Sequence, residues 1–452
     1  MFLNGMERKN GQGGVIGLDI SDAFAQISYW MPGTKKPETL SQVVGREEYM
    51  IPAVLCRKTD RDVWVYGKEA QKAAAQKEGI LVEHLLSRAL AEESVEVDGQ
   101  TYEGAVLLAL FVKRSLSLLG GSVNLERAAM LMLTLDRVDK SVLKLTGRLA
   151  MLLGLPEEKV SCMSRAESFF FYNINQPEEL WRHQCMIFAF GPHCLKTLLF
   201  SVNRNTKPVT VTVREQEWEE VAKPEGDCEQ WNEEESGRLD EQFAALARKL
   251  CAGRIVDTIY LIGDVFDGNW YQSALSVLCA GRRVFRGNNL YSKGACYGGM
   301  AKCPSPSGQA LEAVKLAKEY VYLGSDMLKV NVGLEVMRQR ESAYYALLDA
   351  GVNWYDARGE CDFLLDADRS FSLRLVPLNA RGVKEVIVTL DGVPERPPRT
   401  TRIHLIVTCT DAETIKLRME DKGFGELFPA STKVWEETLR LGAGGRKEEK
   451  DG

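Results

Sequence analysis

Apolar and polar residues alternate most sharply near the start of the chain. Val15, Ile16, Leu18 and Ile20 lead into a short turn, and Ala25, Ile27 and Tyr29 alternate on the way out, a period of two that predicts a β-hairpin. Asp19 closes the first strand, Ser21 and Asp22 form the turn, and Gly17 is placed where the backbone could pass close to a ligand. Further on, 48–56 reads as a strand interrupted by Pro52, 63–66 as another strand, and Gly67 as the start of a helix whose period continues over 81–91. After the Asp98-Gly99 turn, 102–119 is helical and apolar on nearly every side, with Gly120 and Gly121 as a stop.

The period then switches repeatedly between two and 3.6. Strands are predicted at 128–135, 159–163, 184–190, 195–202, 209–213, 258–262 and 283–285, with helices at 140–153, 165–172, 239–251, 270–279 and 290–300. The stretch 215–237 is acidic and nearly free of aliphatic residues, which predicts a solvated loop. A Gly- and Pro-rich exit loop follows at 297–308, and from 321 onward only short alternating segments remain, at 371–376, 383–390, 402–409 and 415–420. These predict an α/β domain over 14–325 and an all-β domain over 326–432, flanked by a leader at 1–13 and by a short helix, 433–441, with a charged tail to 452.

Composition narrows the function classes. A net charge of −6 provides no basic stripe for a nucleic acid. The longest apolar run, 105–112, meets Lys113 and Arg114 at once and is too short to cross a membrane. Eleven scattered cysteines fit a reducing compartment, so a cytoplasmic location is expected; neither they nor His84, His183, His193 and His404 have metal-site spacing.

In order along the chain, the pieces resemble the actin-like ATPase superfamily, and within it the seventy-kilodalton heat-shock chaperones. Gly17-Leu-Asp-Ile20 looks like the first phosphate hairpin, Ile51-Pro-Ala-Val54 and Val65-Tyr-Gly-Lys-Glu-Ala70 like the next strands and helix start, Arg165-Ala-Glu-Ser168 like the first connecting helix, and Tyr260-Leu-Ile-Gly263 like the adenosine-side strand. Met327-Leu-Lys-Val-Asn-Val-Gly-Leu334 resembles the interdomain linker and first β-domain strand, and Leu390-Asp-Gly-Val-Pro394 through Thr401-Arg-Ile-His-Leu405 a later sandwich segment. The resemblance implies a two-lobed actin-like (ribonuclease H-like) α/β domain followed by an all-β sandwich. It also implies ATP or ADP with magnesium as cofactors, Asp19 holding the metal through water, and a protein or peptide partner.

The departures from that pattern carry the chemistry. Ser21 and Asp22 replace the Gly and Thr that cradle phosphates in the family. Two like charges ~4 Å apart cost about 4 kcal/mol at an effective dielectric near 20, so an acid there opposes a phosphate unless a metal bridges them. The second phosphate hairpin aligns with Ala189-Phe-Gly-Pro-His-Cys194, where Gly191 alone matches and Pro192 removes an amide donor. His84 stands where the family places its catalytic lysine, Gly263 and Asp264 where it has a Gly pair, and the acidic stretch 215–237 where it has an adenine-clamping subdomain. Trp354, Tyr355, Phe363 and Leu364 are candidates for a peptide cleft, with sandwich core as the plainer role, and the loop 423–429 either docks a partner or covers the sandwich end. The expectation is a chaperone-like, degenerate ATPase acting as a protein-binding or scaffold module. An active ATP-dependent chaperone, with Asp22 or Asp264 on magnesium, and a filament-forming actin-like protein are the alternatives.

Overall fold

The protein is described from a computed structural model, over residues 13–43, 45–59, 61, 63–120, 125–191, 193–224, 226, 228–287, 289–303, 309–338, 341–366, 369–378 and 382–441. Nearly all of the leader at 1–13, Pro192, the last part of the exit loop (304–308) and the tail at 442–452 lie outside these residues. The chain divides into two compact units, Met1–Asn203 with Val211–Tyr320, and Arg204–Thr210 with Val321–Gly452.

The first unit is α/β. It opens with the hairpin β1 (Val15–Ile20) and β2 (Phe24–Trp30), then β3 (Glu38–Thr39), β4 (Ile51–Pro52), β5 (Leu55–Lys58), β6 (Trp64–Tyr66), α1 (Gly67–Ala75), β7 (Gly79–Val82) and α2 (Leu85–Leu90). A second hairpin, β8 (Ser94–Val97) and β9 (Gln100–Glu103), leads into α3 (Gly104–Ser117), β10 (Met130–Leu135), α4 (Lys140–Leu153), β11 (Val160–Ser164) and α5 (Arg165–Ile174). Then come β12 (Gln184–Phe190), β13 (Leu195–Asn203), β14 (Val209–Trp218), α6 (Glu233–Cys251), β15 (Val256–Ile262), α7 (Gln272–Leu278), β16 (Arg283–Arg286), α8 (Leu290–Lys302), α9 (Gln309–Glu319) and β17 (Tyr320–Tyr322).

Two sheets organise this unit, and their strand orders match. One runs β11-β10-β1-β2-β3, with β4 also on β2, and the other β16-β15-β12-β13-β14-β17; in each the central antiparallel hairpin is followed outward by two parallel strands on one side. Every residue of β1 and of β10 is buried, as expected for parallel strands covered on both faces. The covering helices are well terminated: Asp139 caps α4, Gly154 ends it in the left-handed region, Ser164 caps α5, and Asn232 with Glu235 forms a capping box on α6.

Helix α8 lies against β1 and α5 almost backbone to backbone. A Cβ on Gly17 would sit 2.2 Å from the Ser292 carbonyl oxygen, and one on Gly294 2.1 Å from that of Ser168. Only glycine permits these approaches. Ser292 Oγ also bonds Gln26 Oε1 at 2.9 Å and pairs with Ser28 Oγ at 2.8 Å, tying the helix to β2.

The second unit is all-β. Its strands are β18 (Val330–Arg338), β19 (Glu341–Leu348), β20 (Arg358–Leu365), β21 (Ser370–Pro377), β22 (Lys384–Thr389), β23 (Thr401–Asp411), β24 (Thr414–Asp421) and β25 (Val434–Arg440). They form two antiparallel four-stranded sheets, β19-β18-β21-β22 and β20-β23-β24-β25, which share one apolar core built from Leu334, Leu373 and Val388 of the first and Ile403, Leu405 and Leu417 of the second. Asp421, at the end of β24, accepts two hydrogen bonds from the Arg396 guanidinium at 3.0 and 2.9 Å and one each from the Gly423 and Ser431 amides at 2.8 and 3.0 Å. The loop 423–429 is thus pinned at its root while Leu427 at its tip stays 87% exposed.

Four expectations are corrected. The segment 433–441 is the strand β25, because Trp435, Glu437 and Leu439 point inward at a period of two. The helix expected over 81–91 is shortened: Leu81 pairs with Cys56 in a strand, and the helix begins at Leu85. The start of the helix expected at 102–119 belongs to the β8–β9 hairpin. The acidic stretch 215–237 is not one loop, since β14 runs on through Trp218 and α6 starts at Glu233. Trp218 explains the first half of this correction: its indole is buried, and its Nε1 donates to Thr197 Oγ1 at 3.0 Å, which holds the acidic strand in the sheet.

Candidate functional site

Parallel strands deliver the residues that follow them to one edge of a sheet, which is where open α/β sheets carry their sites. Asp19 is at that edge of β1, Asp136 follows β10, and Arg165 follows β11 as the first residue of α5. Registers put the second sheet's turns at its equivalent edge: Ala189 pairs with Ile262, so Gly191 and Gly263 lie just beyond neighbouring strand ends.

The two edges are joined by an ion-pair chain. Asp19, 2% exposed, accepts from Arg165 Nε at 3.0 Å, and Arg165 Nη1 donates to Asp136 at 2.7 Å. Asp136 is 3.5 Å from Lys196 Nζ, which also reaches Glu217 at 3.0 Å and Glu215 at 3.8 Å. The Arg165 guanidinium stacks over the Tyr291 ring, 5.4 Å from its centroid. Four carboxylates therefore meet two cations, an excess of two negative charges.

Burial sets the proton affinities. It pushes the Asp19 carboxyl up, against the opposing pull of Arg165. On Asp136 burial also acts upward, but Arg165 and Lys196 outweigh it and hold that carboxyl below its ordinary value. Burial acts to lower Arg165, yet Asp19 and Asp136 more than compensate, so the guanidinium stays charged. Beside Asp19, its register neighbours Gln26 and Thr134 are fully buried. Gln26 Nε2, Thr134 Oγ1 and Arg165 Nη2 have no hydrogen-bond partner among the described residues.

The remaining sequence candidates fall in different places. Ser21 closes its own turn, its amide donating to the Phe24 carbonyl at 2.9 Å. Asp22 reaches α2, where its carboxylate accepts from the Ser87 amide at 3.0 Å and from the Ser87 hydroxyl. His84 precedes α2 in a left-handed conformation, φ 57°, exposed and making no side-chain cap, so Asp22 supplies the cap that His84 does not. The Gly191 amide donates to the Cys194 carbonyl at 2.8 Å, committing to its own turn. Gly263 has φ 109° and Asp264 starts the 3-10 turn Asp264–Asp267. A cavity of about 490 Å³ is lined by Ser21, Asp22, Asp136 and Arg165 and by apolar residues of α2 and α4.

In the second unit, Trp354 and Phe363 pack on the apolar core, and Phe363 meets Phe371 edge-on at 5.0 Å. Tyr355 stands edge-on to Trp354 at 5.5 Å. Leu364 is 44% exposed and, as the strand neighbour of Phe363, points to the opposite face, so these two side chains line no common cleft.

Asp136, Lys196, Glu215, Glu217 and Tyr291 are not singled out by the sequence, and Arg165 stands out there only as a helix start. The one signal available was a charged residue directly after each of two apolar strands, Leu135-Asp136 and Ser164-Arg165.

Comparison with known families matches residues 36–323 to one described as "Family of unknown function (DUF5716) C-terminal", and residues 327–441 to one described as "Domain of unknown function (DUF8552)". None of the curated proteins compared matches the chain. Because the first match spans more than half of the 452 residues, the chain belongs to the DUF5716 C-terminal family.

Proposed function

We propose that the first unit is a two-lobed actin-like domain whose nucleotide cleft has been taken over by the chain's own ion pairs, and that the protein works as a protein-binding scaffold instead of an ATPase. The matched strand orders of the two sheets support the two-lobed reading. The observation that carries the loss of catalysis is the 3.0 Å bond from Arg165 to Asp19, the carboxylate that the chaperone resemblance assigns to magnesium. A guanidinium there supplies the positive charge itself.

A magnesium triphosphate does not fit these residues. Asp19 is engaged by Arg165, Asp22 by Ser87, and the Gly191 amide by Cys194. The network's excess negative charge repels phosphates, since like charges ~4 Å apart cost about 4 kcal/mol at an effective dielectric near 20. The partner-binding half of the proposal draws on the β unit, where Met337, Ile387 and Leu427 expose 67%, 69% and 87% of their surface.

Isothermal titration of the full chain with ATP and with ADP, each with and without magnesium, tests the reading. The expected result is no saturable heat at millimolar ligand and no phosphate release. Submillimolar binding that disappears in Asp19→Ala would return the cleft to nucleotide and sink the scaffold reading.

A further inference from the structure

A trough of about 990 Å³ opens between α4 on one side and the end of α2 with the β8–β9 hairpin on the other. Its lining includes the apolar residues Leu90, Ala105, Leu145 and Ala150, two of them small, and Met151, 58% exposed. Two ion pairs cross from wall to wall, Lys144 to Glu92 at 2.6 Å and Arg148 to Glu103 at 3.1 Å. Their side chains are between 42% and 68% exposed, so the pairs are weak and readily exchanged. Glu93 and Glu157 add to the lining; Glu93 is paired with Arg88 at 3.5 Å, so four carboxylates face three cations and Glu157 is the surplus charge.

Gly147 supplies a separate observation. It sits in the interior of α4, where glycine costs helix stability relative to any ordinary residue. A Cβ at this position would meet only a Glu157 carboxylate oxygen, at 3.5 Å, so nothing within the described chain demands a glycine. Bare backbone facing an open trough does suit the close approach of a second helix. The α4 positions lining the trough, Ser141, Lys144, Arg148 and Met151, recur at intervals of three and four, the spacing on which the ridges of two helices mesh.

We propose that this trough docks an amphipathic helix of a partner protein, with small apolar side chains over Gly147 and lysines or arginines toward Glu92, Glu93, Glu103 and Glu157. The net acidity of the rim selects a basic helix over an acidic one. The proposal rests on the protein-binding half of the function above and not on the state of the nucleotide cleft, although Leu90 and Ser141 line both cavities.

The test is fluorescence anisotropy of the full chain, without nucleotide, against a labelled designed helix with an Ala/Leu face and a Lys/Arg face, and against a twin whose polar face is Glu. Gly147→Leu places a side chain in the trough from a Cβ that strikes no backbone and improves the helix propensity of α4, so the thermal midpoint is expected not to fall. Glu157→Lys lowers the rim's acidity. The expected result is saturable binding of the basic helix, weakened by about tenfold or more in each variant, with the acidic twin weaker still. No saturable binding of the basic helix, equal affinity in Gly147→Leu, or an acidic twin that binds as tightly would each overturn the proposal. Because nucleotide is left out, failure here and failure of the calorimetric test on the cleft are separate results.

Discussion

Asp19 and Asp421 are both buried carboxylates near strand ends, and each is met by an arginine. Asp421 accepts from both Arg396 nitrogens and from two backbone amides, so each of its oxygens is used twice. Burial pushes its carboxyl up, but those bonds outweigh it and hold the group down at about 2. Among the described residues, Asp19 has one side-chain bond, from Arg165, and unpartnered polar atoms on both flanking strands. One acid is a finished structural staple. The other keeps the partly satisfied polar surroundings that native proteins concentrate at working sites.

Removing each acid is the most direct way to break the comparison. Asp421→Ala leaves Arg396 buried and uncompensated, and should cost about 3–5 kcal/mol in chemical denaturation. A loss below 1 kcal/mol, on that same order-of-magnitude scale, would mean that the staple is not holding the loop.

The pH dependence of stability should separate the two by sign. The folded value of Asp421, about 2, lies below the ~3.9 of an unfolded aspartate, so its contribution is full above about pH 4 and drains as pH falls toward 2, about 2.6 kcal/mol in all. The Asp19 carboxyl is raised by burial, so in the window just above the unfolded value the folded chain binds its proton more tightly and acidification adds stability. Denaturation curves between about pH 6 and 2 should show Asp421→Asn flattening the acid limb and Asp19→Asn steepening it. Curves that move in the same direction would contradict the assignment.

At neutral pH, Asp19→Asn should cost less than about 1 kcal/mol, well below Asp421→Ala, because burial already disfavours the Asp19 charge that asparagine removes and Arg165 keeps its bond to Asp136. An effect of similar size is expected at the hairpin tip. Asp22→Ala removes the cap from α2 and should cost about 1 kcal/mol, read as a lowered thermal midpoint, while Asp22→Asn keeps most of it.

What could be read from the sequence follows from local pattern. The β1–β2 hairpin, α4 and α5 carry strong periods and clear caps, and their expected positions match the structure closely. Segments with both propensities were misread. Val434–Arg440 has charged residues at helical spacing, yet pairing with β24 buries alternate residues, and tertiary context overrode propensity. The site was legible only where one motif held it, at Asp19 and Asp22. Asp19, Asp136 and Arg165 lie far apart in sequence and meet because the parallel order of β1, β10 and β11 brings their ends to one edge, while Lys196 reaches Asp136 from β13 of the other sheet, and no local window records either.

The glycine-faced seam between α8 and β1 has a kinetic meaning. Gly17 and Gly294 face the carbonyl oxygens of Ser292 and Ser168 with no room for a side chain between, so helix and strand are packed at backbone contact along this seam. Motions of the first unit must then be taken up elsewhere, in its loops and outer helices. The amides along this seam should exchange with deuterium only when the whole unit opens, making them its slowest-exchanging protons.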